Sequence, residues 1–254
     1  MEERDRILEK VRALLAKAES TQYAEEAALY TAKAQELIAS HAIDMALLEE
    51  REGRGRIVTR LIQIPSPYPK EKFLLLGGVA RANNCRAILG LERETVMRMA
   101  DDGSLFAGDG KWATVVGHES DLDLVEILFT SLLVQAVNVM LAHGTQVNAW
   151  GENRTKSFRR SFLNQFAWTI RERLEAARDT ARDVATTPSG DSALPVLVRR
   201  DEAVDQDVSE RFPNVTSLRT SVSNHEGVLA GHDAGQRADI GTTRMGGRRR
   251  SLPG

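Results

Sequence analysis

Ile7-Leu8-Glu9-Lys10-Val11-Arg12-Ala13-Leu14-Leu15-Ala16-Lys17-Ala18, then Ser20-Thr21, then Ala27-Ala28-Leu29-Tyr30-Thr31-Ala32-Lys33-Ala34-Gln35-Glu36-Leu37-Ile38, sets how the chain begins. Ile7, Leu8, Val11, Leu14, Leu15 and Ala18 recur at three- and four-residue steps, which is one apolar stripe on a helix of 3.6 residues per turn. Ala27, Tyr30, Thr31, Ala34, Leu37 and Ile38 repeat the pattern. Between the limbs Ser20 and Thr21 offer capping oxygens, and Glu25 and Glu26 suit the positive end of the second helix. A link this short forces antiparallel neighbours that bury their stripes against each other. Residues 1–50 are therefore expected to form a helical hairpin module, with His41 ending its second helix and a short third helix running from Met45 to Glu50.

Working outward, Arg51-Glu-Gly-Arg-Gly-Arg56 has two glycines, mixed charge and no apolar residue, and reads as a linker. Residues 57–254 form the second predicted domain. Val58, Leu61, Ile62 and Ile64 suit a strand. Pro69 can open a helix through Phe73, Leu76 and Val79 that ends near Asn83-Asn84, because a first-turn proline loses no helical bond. Short runs at Cys85–Leu91, Thr95–Met99 and Lys111–Val116, with turn residues at Asp101-Asp-Gly103 and Gly108-Asp-Gly110, predict an antiparallel meander. Ser120 can cap a helix whose apolar face runs from Leu122 to Met140. A long helix over about Thr155 to Ala185 carries Phe158, Phe162, Phe166, Ile170 and Leu174. Leu194 to Val198 reads as a strand followed by a polar helix or loop. A last helix starts near Asn224, and the end, Gly246-Gly-Arg-Arg-Arg250, is glycine-rich, basic and less ordered. The fold class is α+β: a small antiparallel sheet packed with long helices.

The hairpin residues carry a family resemblance. Ile7-Leu8-x-Lys10-Val11-x-x-Leu14-Leu15-Ala16-Lys17-Ala18-Glu19-Ser20-Thr21, with Glu25-Glu26-Ala27-Ala28, Ala32-Lys33-Ala34-Gln35-Glu36-Leu37-Ile38 and His41-Ala42-Ile43-Asp44, resembles the start of the family called domain of unknown function 2786. The part that follows is similar, more loosely, to its usual companion, domain of unknown function 7168. The resemblance implies a helical module with an α+β partner in bacteria or their phages. It supplies no activity and no catalytic residue.

Composition removes several classes of function. Lys+Arg 34 against Asp+Glu 36 gives a net charge of −2, so no global field draws the chain to nucleic acid or membrane. One cysteine, Cys85, excludes an intrachain disulfide framework and suits a reducing compartment. The N-terminus lacks a signal-peptide pattern, and Ile127 to Leu141 is interrupted by polar residues and too short to span a bilayer. A cytoplasmic protein without membrane contact is expected.

Candidate chemistry is sparse. Gly108-Asp-Gly110-Lys-Trp-Ala113 fits a relaxed dinucleotide fingerprint, but a strand follows where a helix N-terminus would have to receive the pyrophosphate. His225-Glu226 and His232-Asp233 lie about two turns apart, too far to share one metal comfortably. His118-Glu119 sits at a helix start, where polar residues are expected anyway. No metal and no cofactor is expected. These six residues, His118, Glu119, His225, Glu226, His232 and Asp233, remain the catalytic candidates of a hydrolase reading, which requires that they converge in space. The balance favours a non-catalytic binding or adaptor protein acting near nucleic acid, with an unidentified protein partner. Its binding candidates are the locally basic Arg154, Lys156, Arg159 and Arg160, and the periodic Gly227, Gly231 and Gly235. Glycine costs up to about 1 kcal/mol inside a helix, so three on one face imply a close approach, either by another element of the chain or by a partner.

Overall fold

The computed structural model describes residues 55–90, 96–99, 105–108, 110–185, 192–218, 220–238 and 240, together with 43–49 and single positions between Arg6 and Leu37. The chain divides into two compact units, Met1–Ile38 with Asp239–Gly254, and Ala39–Ala238. In the first, the described positions of the leading limb (Arg6, Ile7, Glu9, Lys10, Val11, Ala13, Leu14 and Lys17) are helical, as are Lys33 and Leu37. The expected turn at Ser20 to Glu26, His41, most of the linker, the turn at Asp101 to Gly103 and the basic end lie outside the described residues.

The second unit is α+β. Its strands are β1 (Ile57–Pro65), β2 (Arg86–Leu89), β3 (Val96–Met99), β4 (Leu105–Gly108) and β5 (Gly110–His118). Its long helices are α1 (Pro69–Ala82), α2 (Glu119–Ala142), α3 (Thr155–Val184), α4 (Leu194–Arg211) and α5 (His225–Arg237). β5 is the central strand of a three-stranded sheet in the order β1-β5-β2, antiparallel to both neighbours. The register runs from Ile57 opposite His118 to Pro65 opposite Gly110, and from Arg86 opposite Val116 to Leu89 opposite Ala113.

The expected meander is corrected here. β3 and β4 pair only with each other, Val96 opposite Gly108, as a separate two-stranded excursion. β1 takes the place beside β5 that consecutive pairing would have given to β4. Nine paired residues of β1 bury Ile62 and Ile64 there, whereas β4 offers only four residues. A second correction concerns Leu194 to Val198, which opens α4 instead of forming a strand. Pro195 falls in the first turn, where its missing N–H costs nothing, and Leu197, Arg200 and Val204 form the one buried face.

Each helix follows from its sequence. Pro69 starts α1 after Tyr68 in the left-handed region. α3 buries Phe158, Phe162, Phe166, Ile170 and Leu174, the stripe its period requires. α2 follows β5 without an intervening loop, with His118 at the cap position and Ser120 already inside the helix. It is 24 residues long and, by length and composition, apolar enough to cross a membrane, longer than the stretch expected from sequence. In this fold one face of it is packed: Leu122, Val125, Phe129, Leu132, Ala136 and Met140 are buried, with Ser120, Asp121 and Ser131, while Val134, Val139 and Leu141 are exposed.

Residues 43–49, counted above with the hairpin, are helical and pack in the second unit. Ala46 joins Ala185, Ala193 and Leu197 in a small apolar cluster, with Ile43 and Leu47 against it.

Candidate functional site

α3 is gripped from two sides, and the two contacts are built differently. On one side lies α5. Asn224 caps it by accepting the Gly227 N–H at 2.8 Å, and Arg173 closes its far end by donating to the carbonyls of Gly235 (2.5 Å) and Ala238 (2.6 Å). Gly227, Gly231 and Gly235 are buried, and a Cβ on any of them would fall closer than 3.0 Å to the Phe158 carbonyl, the Phe162 carbonyl and Thr169 Cβ respectively. The glycine face is thus occupied by the backbone of α3. The close approach inferred from sequence is made within the chain.

On the other side of α3 lies α1, and its glycine pair behaves differently. Gly78 meets Arg171 Cβ at 3.0 Å from its notional Cβ, so it lets the helices touch. Gly77 has nothing within 4 Å of that position. It lies on the floor of an open groove of about 1350 Å³ between α1, α3, the β2 edge and the segment Arg211 to Val222. Among the described residues, every charged one lining this groove is cationic: Lys70, Arg81, Arg171 and Arg211. Their acidic partners stay outside the lining. Glu175 accepts from Arg171 (3.0 Å) and lies 3.9 Å from Arg81, while Asp207 pairs with Arg211 at 2.7 Å. Glu175 and Asp207 thus pair with three of the four cations, and Asp205 also feels the charge of Arg81. Trp168 lines it as well, 56% exposed, with the Arg171 guanidinium carbon 5.9 Å from its ring centroid.

The remaining binding candidates lie elsewhere, and two of them are paired. Arg160 donates to Glu71 at 2.5 Å and neutralises a carboxylate that is 3% exposed. Arg154 pairs with Glu152 at 2.7 Å, Lys156 is exposed, and the Arg159 Nε is buried without a hydrogen-bond partner. None of the four lines the groove.

The hydrolase candidates do not assemble. His118 is buried at the start of α2, its Nδ1 4.0 Å from Glu49, and Glu119 beside it is exposed. His225, Glu226, His232 and Asp233 lie exposed on α5. There His232 Nδ1 meets Thr169 Oγ1 at 3.2 Å and Asp233 pairs with Arg237. Among the described residues no three His, Cys, Asp or Glu side chains are placed to hold a metal ion.

His118 instead borders a buried ionic cluster that sequence did not reveal. Arg200, 4% exposed, reaches Glu49 at 2.7 Å and Asp121 at 3.4 Å. Burial lifts the Asp121 carboxyl from 3.8 to about 7; Arg200 opposes the rise and Glu49 adds to it. Burial likewise pushes the nearby Cys85 thiol well up, so this cysteine is a packed group and no nucleophile. The cluster ties residues 43–49 to α2 and α4.

None of Trp168, Lys70, Arg81, Arg171 and Arg211 stood among the binding candidates read from sequence. The available signal was Gly77-Gly78 inside an otherwise strong helix, where each glycine costs up to about 1 kcal/mol against alanine. Comparison with known proteins bears on the N-terminal stretch alone. Residues 6–45 match the family described as "Protein of unknown function (DUF2786)". Neither a curated protein nor a solved structure matches the chain, so what is identified is one N-terminal stretch similar to a family of unknown function.

Proposed function

We propose that the protein is a non-catalytic binding protein that takes a single strand of nucleic acid in the groove between α1 and α3. The observation that carries this reading is the lining, four cations with no carboxylate around an exposed Trp168. Single strands are held by just this pairing, because a positive groove tracks the phosphates while an aromatic face stacks a base of any identity. The body that holds the groove is, on the looser resemblance, domain of unknown function 7168. The buried thiol and the resemblance together suit a reducing bacterial or phage cytoplasm.

Fluorescence anisotropy with labelled 12-nucleotide single strands of DNA and of RNA tests the reading. Binding is expected to weaken with salt, log Kd rising by roughly 0.7 per phosphate neutralised for each tenfold rise in salt, or about 1.4 to 2.8 for two to four contacts. It is expected to fall in Arg171→Glu. No binding by either strand, or equal competition from a poly-glutamate peptide, overturns it.

A further inference from the structure

From Ile127 to Gly151 the chain carries no Asp, Glu, Lys or Arg, although 28% of its residues are charged. That stretch is not all hidden in the core. Val134 and Leu141, seven positions apart and so on one face of α2, are exposed, as is Val139. The exposed apolar residues continue along the chain into the turn that joins α2 to α3, where Val147 is exposed and Trp150 is 86% exposed. This turn is closed by its own hydrogen bonds. Asn148 Oδ1 accepts the N–H groups of Trp150 (3.1 Å) and Glu152 (2.9 Å), the Asn148 carbonyl accepts from Gly151 (2.9 Å), and Val147 bridges to Asn153. Gly151, at φ 80°, takes the left-handed step the turn requires. Trp150 is thus held out in solvent by an ordered turn, beside an exposed apolar helix face that carries no charge, and such a surface marks a contact.

The charges that follow the turn select the occupant. We propose that this tip docks the protein on an anionic lipid bilayer, with Trp150 entering the headgroup layer and Lys156 and Arg159 supplying positive charge beside it. Between Gly151 and Arg160 four cations, Arg154, Lys156, Arg159 and Arg160, stand against one acid, Glu152. Arg154 pairs with Glu152 and Arg160 with Glu71, which leaves Lys156 and Arg159 as the excess. An apolar tip, an exposed tryptophan and adjacent cations are the means by which a protein lies on a membrane without crossing it. A second copy is a poorer occupant, because a two-fold contact sets the same cations against each other with no surplus acid to answer them. A folded partner would have to offer a formed pocket to a protruding ring, whereas lipid headgroups part around it. The overall charge of −2 conceals this surface, since the attraction is local and acts within about 10 Å. Lys156 lies about 18 Å along α3 from Trp168, so the tip is separate from the groove and does not rest on the strand-binding reading.

Co-sedimentation of the full chain with vesicles tests this, one part phosphatidylserine to two parts phosphatidylcholine being compared with phosphatidylcholine alone. Binding to the anionic vesicles is expected to be at least about fivefold tighter, and to weaken as salt screens it. Trp150→Ser is expected to reduce that binding by at least about fivefold. Lys156→Glu is expected to reduce it by a similar factor, on the anionic vesicles only. Both side chains are exposed, so thermal unfolding followed by circular dichroism should not move in either variant. Arg171→Glu, in the groove, is expected to leave vesicle binding within about twofold, because it lies beyond the screening length from the tip. No binding to either vesicle overturns the proposal, as does binding unmoved by Trp150→Ser. A dimer that dissociates in Trp150→Ser, without vesicle binding, gives the tip to a second copy and overturns it as well. Vesicle binding lost in Arg171→Glu and kept in Trp150→Ser moves the lipid to the groove and does the same. Should Trp150→Ser not fold, the lipid and salt dependence of the unaltered chain, together with Lys156→Glu, decides.

Discussion

α5 and α1 both meet α3 through glycines, and the two contacts have opposite purposes. Gly227 and Gly231 answer the carbonyls of Phe158 and Phe162, so one backbone seats against the other, and Gly235 makes room for the Thr169 side chain. Gly78 does the same on a smaller scale against Arg171. Gly77 does not: space lies above it, and that space is the groove. A glycine whose Cβ would collide is explained by packing. A glycine in a helix with room for a side chain has accepted a cost in helix propensity that no intrachain contact recovers. Glycine periodicity alone cannot separate these cases, and what lies opposite does.

The comparison is broken most sharply at Gly231. Gly231→Leu is expected to destabilise the fold by about 3 kcal/mol, the upper end for overpacking, because the obstacle is the Phe162 backbone and not a side chain that can rotate away. A denaturant midpoint unchanged or raised would show that α5 does not need this seat.

The next largest effect belongs to the groove. Trp168→Ala is expected to weaken single-strand binding by about 1–3 kcal/mol per stacked base. With the ring 56% exposed, its loss should cost no more than about 2–3 kcal/mol of stability. A large fall in melting temperature with binding intact would make Trp168 a packing residue and remove the contrast between the two sides of α3.

A pH series isolates both contacts from the ionic cluster. The Asp121 carboxyl is raised in the folded chain from 3.8 to about 7, so the folded state holds its proton more tightly than the unfolded state. Its stabilising contribution is complete below about pH 4 and is lost as pH rises through 7, at up to about 1.4 kcal/mol per pH unit. Asp121→Asn is expected to flatten that slope in chemical denaturation, while the loss in Gly231→Leu stays the same across the series. A slope unchanged in Asp121→Asn would assign the titration to another group.

The smallest effect is the most diagnostic. Gly77→Leu is expected to raise stability by about 0.5–1 kcal/mol through helix propensity, because it meets nothing, and to abolish strand binding by filling the groove floor. Gain of stability with loss of binding has no packing explanation. Loss of both would mean that Gly77 is, after all, like Gly231.

Much of the frame was legible in the sequence because its signals are local. Pro69 opens α1, the phenylalanine stripe defines α3, and Asn224 caps α5, and each can be read within a single turn or two. The failures were non-local. Leu194, Val196, Leu197 and Val198 look like a strand until tertiary burial is seen to use only Leu197 fully, with Arg200 and Val204 continuing the same helical face. The place of β1 beside β5 is decided by which strand offers the longer apolar match, a competition invisible in either strand alone. The groove was hidden for the same reason: Lys70, Arg81, Arg171 and Arg211 are scattered over 142 positions (211 − 70 = 141 steps) and become one surface only when α1, α3 and the end of α4 meet. The compact basic run Arg154 to Arg160, by contrast, was conspicuous, and two of its members pair with carboxylates, Arg154 with Glu152 and Arg160 with Glu71 on α1.

The segment between α4 and α5 has a consequence for how the chain tolerates being cut. From Pro213 to Val222 its described residues form no helix or strand and are mostly exposed. It is held chiefly where Ser161 Oγ accepts the N–H groups of Ser223 (3.2 Å) and Asn224 (3.1 Å). An endoprotease should therefore enter here before it enters α3 or α5. The grip of α5 on α3 does not depend on that peptide link, since the glycine seat, the Asn224 cap and the Arg173 clasp all lie beyond it. The two pieces should co-elute as a nicked complex, the break marking a permissive point at which new termini or an inserted reporter could be placed.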